Sequence, residues 1–465
     1  MENSSRFFSN PDCSYFPCHK GSSNDRESFN CLFCYCPLYS RIPCPGNPTY
    51  IKKDDGRIVK RCTDCNFPHK PENYDRIMSL LKGKSLTDEV FQEYHHGGEF
   101  VSSLMHEKPA EEVCYDFSVN TNPLGLPDGV KNAVQNSIEQ LERYPDQNCT
   151  ALRKKIAEKI ENDNLFVHNE QISPENIIIG NGASELISLI VQAVSPKNAL
   201  VVAPTFSGYE RALKICYSKI HYHLLKEEND FTLDSTIFSS IENAAADMVF
   251  LCSPNNPTGK MPDFELLKKL VSFCEERCIF LFVDECFIGF TEKENLSDVQ
   301  FVSENPHLIV LNAFTKVYSM AGIRLGYAFS SNQGLLAKVN FLRPEWNVSS
   351  LAQLSGLAAL NENAYLHETC SLISRERDYL NKKLKTLGFT VYPSEANFIL
   401  FKADSKDFTE SFNKKLIEQG ILLRNCGNFV GLTGDFFRTA IKNHEENEKL
   451  IEALADSLGK SFSLL

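Results

Sequence analysis

The sequence predicts an α/β domain built on a mostly parallel sheet with helices on both faces, completed by a smaller α+β part and preceded by a cysteine-rich head. Three observations carry that expectation. From about residue 96, short β-branched runs alternate with longer helical patterns, the texture of buried parallel strands joined by crossover helices. From about residue 346 the chain mixes long helices with the strand-like runs "GFTVYPS" and "ANFILFKA". Eight of the 17 cysteines fall within the first 65 residues.

The head, residues 1–75, is rich in Cys, Pro, Tyr and Asn and almost free of Leu, Ile and Val runs. Such a segment buries too little apolar surface to fold unaided, so bound metal would have to supply the stability. Its cysteines, Cys13, Cys18, Cys31, Cys34, Cys36, Cys44, Cys62 and Cys65, follow the spacings C-x4-CH, C-x2-C-x-C-x7-C and C-x2-C. Close C-x2-C pairs can chelate one ion tetrahedrally, and with His19 and His69 there are ligands for two. Zinc is the default, and an iron–sulfur cluster would use the same thiolates. The alternative is a set of unmetallated structural thiols. In a reducing compartment a dense cluster favours metal over disulfides. Residues 76–95 read as a helical linker, with "YDRIMSLL" giving a short apolar stripe.

In the remainder the strand candidates are "NIIIG" (176–180), "ALVVAP" (199–204), "DMVFLCSP" (247–254), "IFLFVDE" (279–285), "HLIVLNAF" (307–314) and "IRLGYAF" (323–329). Helical stretches such as "SELISLIVQAV" and "DFELLKKLVSFCEERC" lie between them. A net charge of −12 with no basic stretch argues against a dedicated nucleic-acid binder. The longest apolar run, "LISLIVQAV", is too short to cross a bilayer. The N-terminus "MENSSRFFSN" has neither the basic flank nor the apolar centre of a signal peptide, so a cytoplasmic location is expected.

Four motifs carry chemistry. "IIIGNGASELI" reads as strand, glycine turn and helix, placing Gly182, Ala183 and Ser184 where free N–H groups favour an anion, or simply as a capped turn. "SPNNPTGK" (253–260) ends a strand in residues common to any loop. Asp284 ends an apolar strand, where a carboxylate needs a partner and where open α/β sheets bind ligands. Lys316, in "NAFTKVYSMAGIRLGYA", sits among small and apolar neighbours eight residues before Arg324. It could snorkel to solvent along a helix face.

In this order, glycine turn, NPTG, strand-end Asp, TK and an arginine at Lys+8, residues 96–465 resemble the fold type I pyridoxal-phosphate enzymes of the aminotransferase superfamily. The resemblance implies a large subdomain over about 145–345 and a small one from 96–144 together with 346–465. It implies that Lys316 holds pyridoxal 5′-phosphate as a Schiff base, which needs a lysine of lowered pKa. Asp284 would pair with the ring nitrogen, Asn256 with the ring hydroxyl, and Phe206 would stack on the ring. Gly182, Ala183, Ser184, Thr315 and Arg324 lie where the family holds the cofactor phosphate. Tyr144 matches a tyrosine reaching the neighbouring subunit's phosphate, so a homodimer is implied. Two positions depart from the usual aminotransferase pattern: Phe287 replaces a tyrosine and Ala313 a serine.

Pyridoxal chemistry is directed by whichever bond to Cα the protein holds perpendicular to the ring. The segments "HHGGEF", "YDFSVNTNPLG", "LLRNCGNFVGL" and "DFFRTAI", together with Phe287, are more similar to the threonine-phosphate decarboxylases of cobalamin biosynthesis than to histidinol-phosphate aminotransferases. That likeness implies that Arg438 forks onto the substrate carboxylate, Arg424 meets its phosphate, and His96 and Asn122 line the pocket. It implies decarboxylation of threonine phosphate to 1-amino-2-propanol phosphate. For each arginine the plain alternative is a solvated surface charge. Histidinol-phosphate-type transamination is the competing activity. A metal-binding regulatory protein with an inactive enzyme domain is disfavoured by the presence of the lysine, the aspartate and both arginines. The head is similar to a cysteine-rich small domain attached to cobalamin-synthesis enzymes.

Overall fold

A computed structural model of the chain describes residues 5–10, 12–16, 29–39, 44–52, 58–81, 115–162, 172–291, 297–403 and 409–459. The chain divides into two compact units, Met1–Tyr94 and His95–Leu465.

In the first unit, β1 (Thr49–Lys52) pairs antiparallel with β2 (Ile58–Arg61), and two 3-10 turns and the α-helix α1 (Tyr74–Leu81) follow. Its buried apolar side chains among the described residues are Phe7, Phe29, Leu38, Cys65 and Ile77. That is a thin core, as its composition dictates. Polar contacts supplement it. Lys60 is buried and donates to Leu38 O and Tyr39 O at 3.0 and 2.9 Å. The buried His69 ring stacks on Phe29, with centroids 4.3 Å apart.

The second unit holds a seven-stranded sheet ordered β4-β10-β9-β8-β7-β5-β6. Its strands are β4 (Ile177–Gly180), β5 (Asn198–Ala203), β6 (Lys219–Leu224), β7 (Met248–Cys252), β8 (Phe280–Asp284), β9 (Leu308–Ala313) and β10 (Gly326–Phe329). All run parallel except β10, which is antiparallel to both its neighbours. Apart from the edge strand β6, the strands are apolar on both faces because helices cover both. Along β7, Val249 and Leu251 join one buried cluster with Leu267 and Leu270 of the helix Phe264–Glu276. Met248 and Phe250 join the other, with α2 (Ala183–Val194) and α3 (Gly208–Ile215).

β6 is absent from the strands read in the sequence. Its run "KIHYHL" alternates polar and apolar residues and is largely solvent-facing, because an edge strand pairs on one side only.

Beyond the sheet, β3 (Tyr115–Asp116) pairs in parallel with β13 (Ile421–Leu422). A four-stranded antiparallel sheet runs β11-β12-β15-β14, from β11 (Thr390–Val391), β12 (Phe398–Lys402), β14 (Arg424–Asn425) and β15 (Phe436–Ala440). Among the described residues no helix is long and apolar enough to cross a membrane.

Candidate active site

A cavity of about 270 Å³ opens at the C-terminal ends of β5, β7, β8 and β9. Chain reversal at those ends turns side chains of four separate loops toward one point, which is why open α/β sheets bind ligands there. Phe206 follows β5, Asn256 follows β7, Asp284 ends β8, and Lys316 lies on α4 (Phe314–Val317) directly after β9.

The two asparagines of the NPTG loop divide their work. Asn255 ties the loop to the end of β5, donating to Pro204 O (2.9 Å) and accepting from Thr205 Oγ1 (2.8 Å). Asn256 faces the cavity and accepts from Arg438 Nη1 at 2.5 Å.

Lys316 sits in a cationic, desiccated setting. Burial, then the Arg438 guanidinium, and more weakly Arg324, pull its ammonium down to about 8. Asp284 is buried, and burial pushes its carboxyl up, opposed by hydrogen bonds from Cys286 and Tyr209. Tyr209 Oη donates to Oδ2 at 2.6 Å and the Cys286 N–H to Oδ1 at 3.0 Å.

Gly182 caps α2 with φ +80°. A Cβ there would lie 2.6 Å from Arg324 Nη2, so only glycine lets the guanidinium close over the helix start. Arg324 itself holds φ +61°, a left-handed conformation rare outside glycine, with Nη1 donating to Ala321 O at 3.2 Å. Ala183, Ser184 and Thr315 line the same end of the cavity. The unpaired N–H groups of the first helical turn and this guanidinium form an anion cradle. That donor set fits a phosphate.

Arg424 and Arg438 are direct cross-strand partners on β14 and β15, and both line the cavity. Like charges directly opposite one another are unfavourable without an anion between them. Arg438 is buried, donates from Nη2 to Ser118 O at 2.6 Å, and keeps Nε buried with no hydrogen-bond partner. Burial and, more weakly, Arg424 lower it to about 10. Arg424 donates to Asn425 O and Asn428 Oδ1 at 2.6 and 2.7 Å and lies over the Phe429 ring.

Asn122 is placed differently from a pocket residue. Its Nδ2 donates to Val317 O and Thr369 Oγ1, both at 2.7 Å, and its N–H donates to Lys316 O. It clamps the backbone around Lys316. Asn120, two residues earlier, lines the cavity instead, and its Nδ2 is buried without a partner. No local pattern distinguishes these two asparagines. Sequence reading also passed over Ser118, Tyr209 and Cys286, each of which faces the cavity from an unremarkable context. Tyr144 is 79% exposed and meets Trp346 at a tilt, ring centroids 4.5 Å apart, away from the residues that line the cavity. Phe287 lines the cavity with no hydroxyl and packs edge-on against Phe398 at 5.1 Å. Ala313 also lines it. His96 and Cys18 lie outside the described residues.

Among the described residues no three Cys, His, Asp or Glu side chains are gathered to hold a metal ion. The thiols nevertheless show local order. Asn47 N–H donates to Cys65 Sγ at 3.2 Å and Asn10 N–H to Cys31 Sγ at 3.5 Å. Burial pushes the Cys36 and Cys62 thiols up; Cys44 and Cys65 push both further, and Lys60 opposes. Of the remaining described candidates, Cys13 is half-buried and Cys34 is exposed.

Residues 112–454 match the aminotransferase class I and II family, and residues 4–90 match the cysteine-rich small domain. The chain is 33% identical over 364 residues to threonine-phosphate decarboxylase of Salmonella typhimurium, covering 78% of this chain and 96% of that one. It is 32% identical over 356 residues to histidinol-phosphate aminotransferase of Caldanaerobacter subterraneus, covering 75% and 95%. Among solved structures, histidinol-phosphate aminotransferase of Clostridium acetobutylicum superimposes with a TM-score of 0.67 at 29% identity, over 74% of this chain and 100% of that one.

Proposed function

The chain belongs to the aminotransferase class I and II family, and we propose that it is a pyridoxal-phosphate-dependent carboxy-lyase converting L-threonine O-3-phosphate to (R)-1-amino-2-propanol O-2-phosphate for the cobalamin nucleotide loop. The observation that carries this reading is the pair of opposed arginines, Arg424 and Arg438, in the cavity that also holds Lys316 and Asp284. Two facing cations call for a substrate with two anionic groups, and a carboxylate and a phosphate supply them.

When bound, pyridoxal 5′-phosphate supplies a sink for the electrons of a bond to Cα. Lys316 would attach it, its amine being partly neutral near pH 8. Asp284 would face the ring nitrogen, Asn256 the ring hydroxyl and Phe206 the ring face. Gly182, Ala183, Ser184, Thr315 and Arg324 would hold its phosphate. Exposed Tyr144 would serve the site of a second copy, which makes the working unit a homodimer.

Arg438 fixes the substrate carboxylate and so decides that the bond from Cα to the carboxyl carbon is the one that breaks. Arg424 takes the phosphate, with the unpartnered Nδ2 of Asn120 as a further donor, and His96 would line the same pocket. Asn122 acts one step removed, holding the Lys316 backbone. After CO2 leaves, Lys316 Nζ would return a proton to Cα. In the head, the cysteines would bind zinc, or an iron–sulfur cluster, with uptake of metal and folding as one event.

Likeness to histidinol-phosphate aminotransferases supports transamination as the second reading. The two differ in what they need. A decarboxylase turns over O-phosphothreonine alone and releases CO2 and one amine, both readable by mass spectrometry. Turnover seen only with added 2-oxoglutarate would favour transamination and reject the decarboxylase.

A further inference from the structure

Tyr209 lies wholly inside the protein, on the side of the sheet that carries Asp284. Phe282 and Asp284 share one face of β8, and their partners across the ladder on β7 are Phe250 and Cys252. The Tyr209 ring covers this patch, stacked on Phe250 at 5.3 Å and edge-on to Phe282 at 6.2 Å. Its far edge meets Phe206 at 5.6 Å. The packing leaves the phenol one direction to point, and Oη donates to Asp284 Oδ2 at 2.6 Å. Oδ1 is held from the opposite side by the Cys286 N–H. Fixed donors on both oxygens oppose the upward push of burial on this carboxyl and keep it from rotating.

We propose that Tyr209 is a positioning residue for the reaction. Through its hydrogen bond it holds the Asp284 carboxylate in the orientation and charge state with which Asp284 meets the ring nitrogen of the cofactor. The inference rests on the reading of Asp284 given above and adds a residue that reaches the chemistry only through it.

The test compares two ligands on the full-length apoprotein: pyridoxal phosphate, and its 1-deaza analogue, in which carbon replaces the ring nitrogen. Binding is read by fluorescence quenching. Tyr209→Phe keeps the ring and its packing. It should weaken pyridoxal phosphate about tenfold or more, the scale of one hydrogen bond to a charged group, while the analogue changes by less than about twofold. In the reconstituted enzyme kcat should fall with KM for O-phosphothreonine little changed. Asp284→Asn should abolish the preference for the nitrogen-bearing ring, and adding Tyr209→Phe to it should cost nothing more. If Tyr209→Phe weakens both ligands equally, its role is packing and the proposal is overturned. If Asp284→Asn leaves the preference intact, the reading of Asp284 is wrong and the proposal falls with it. If Asp284→Asn abolishes the preference and Tyr209→Phe does not touch it, the reading stands and only the proposal fails.

Discussion

Arg438 donates from Nη1 to Asn256 Oδ1 across 2.5 Å, bringing the last strand of the small antiparallel sheet against the loop that follows β7. The contact puts the proposed carboxylate anchor and the proposed partner of the ring hydroxyl within one hydrogen bond. The same guanidinium holds Ser118 O with Nη2, which leaves the buried, unpartnered Nε–H and one N–H on each of Nη1 and Nη2 for an anion.

Loss of the fork should therefore be costly even when charge is kept. Arg438→Lys keeps a cation but cannot serve Asn256 and Ser118 together. The expected loss in kcat/KM is about 10- to 150-fold, equivalent to about 1.5–3 kcal/mol, for O-phosphothreonine and threonine alike. Arg424→Ala should instead erase the preference for the phosphorylated substrate and leave threonine itself unaffected. The ratio of the two kcat/KM values, measured for each variant, checks the division of labour; identical losses in both variants would refute it.

Lys316 should carry the cofactor. Borohydride reduction followed by peptide mass mapping should place the label on Lys316, and Lys316→Ala should lose it along with about 10²–10⁴-fold in turnover. Because the folded amine is lowered to about 8, its free-base fraction grows as pH rises through that value. Attachment of pyridoxal phosphate to the apoprotein should speed up over the same range. Arg438 is the largest charge lowering it, so Arg438→Gln should shift the midpoint upward. A midpoint unmoved in that variant would contradict the electrostatic assignment.

Next to Asp284, two fully buried carboxyls share a pocket of protein. Glu285 accepts from Ser297 Oγ at 2.5 Å and from the Asp298 N–H at 2.7 Å, while both Asp298 oxygens are buried without a partner. Burial pushes both above the usual carboxylate range, with the charge of Asp284 adding to it at Glu285 and the charge of Glu285 adding to it at Asp298. The native pair keeps a proton that the unfolded chain releases above about pH 4.5. Folding then takes up a proton, and stability falls as pH rises through the raised values, by up to about 1.4 kcal/mol per pH unit for each proton. Melting temperatures taken from pH 5 to 8 should fall less steeply in Asp298→Asn than in the parent. Parallel slopes would show that the pair holds no proton.

Metal and folding should be one event in the head. Chelation should make the chain before about residue 75 sensitive to protease while the remainder keeps its cofactor, since the head's composition supplies too little apolar surface to hold it. Elemental analysis of anaerobically purified protein separates zinc from iron. Less than one ion per chain, with a protease-resistant head, would remove the metal reading.

The sequence by itself determined every strand of the main sheet except the edge strand β6, and the residues at their ends. Asp284 after "FLFV", Lys316 after "HLIVLNAFT", the NPTG loop and Arg324 all sit in local patterns whose meaning depends on neighbours in the chain. The cysteine spacings are legible for the same reason. Tertiary structure alone decided the rest. The facing of Arg424 and Arg438 is a matter of register between β14 and β15, which a shift of one residue would undo. Asn120 and Asn122 are chemically identical, and only packing sends one into the cavity and the other to the backbone of Val317. Tyr209 and Asp284 are 75 residues apart and meet because the Tyr209 ring, near the start of α3, reaches over Phe250 of β7 and Phe282 of β8. Local sequence sets which way a segment curls and where it stops. Which side chains then face each other is set by long-range pairing, whose energy is shared among many strands and helices and leaves no mark on any one of them.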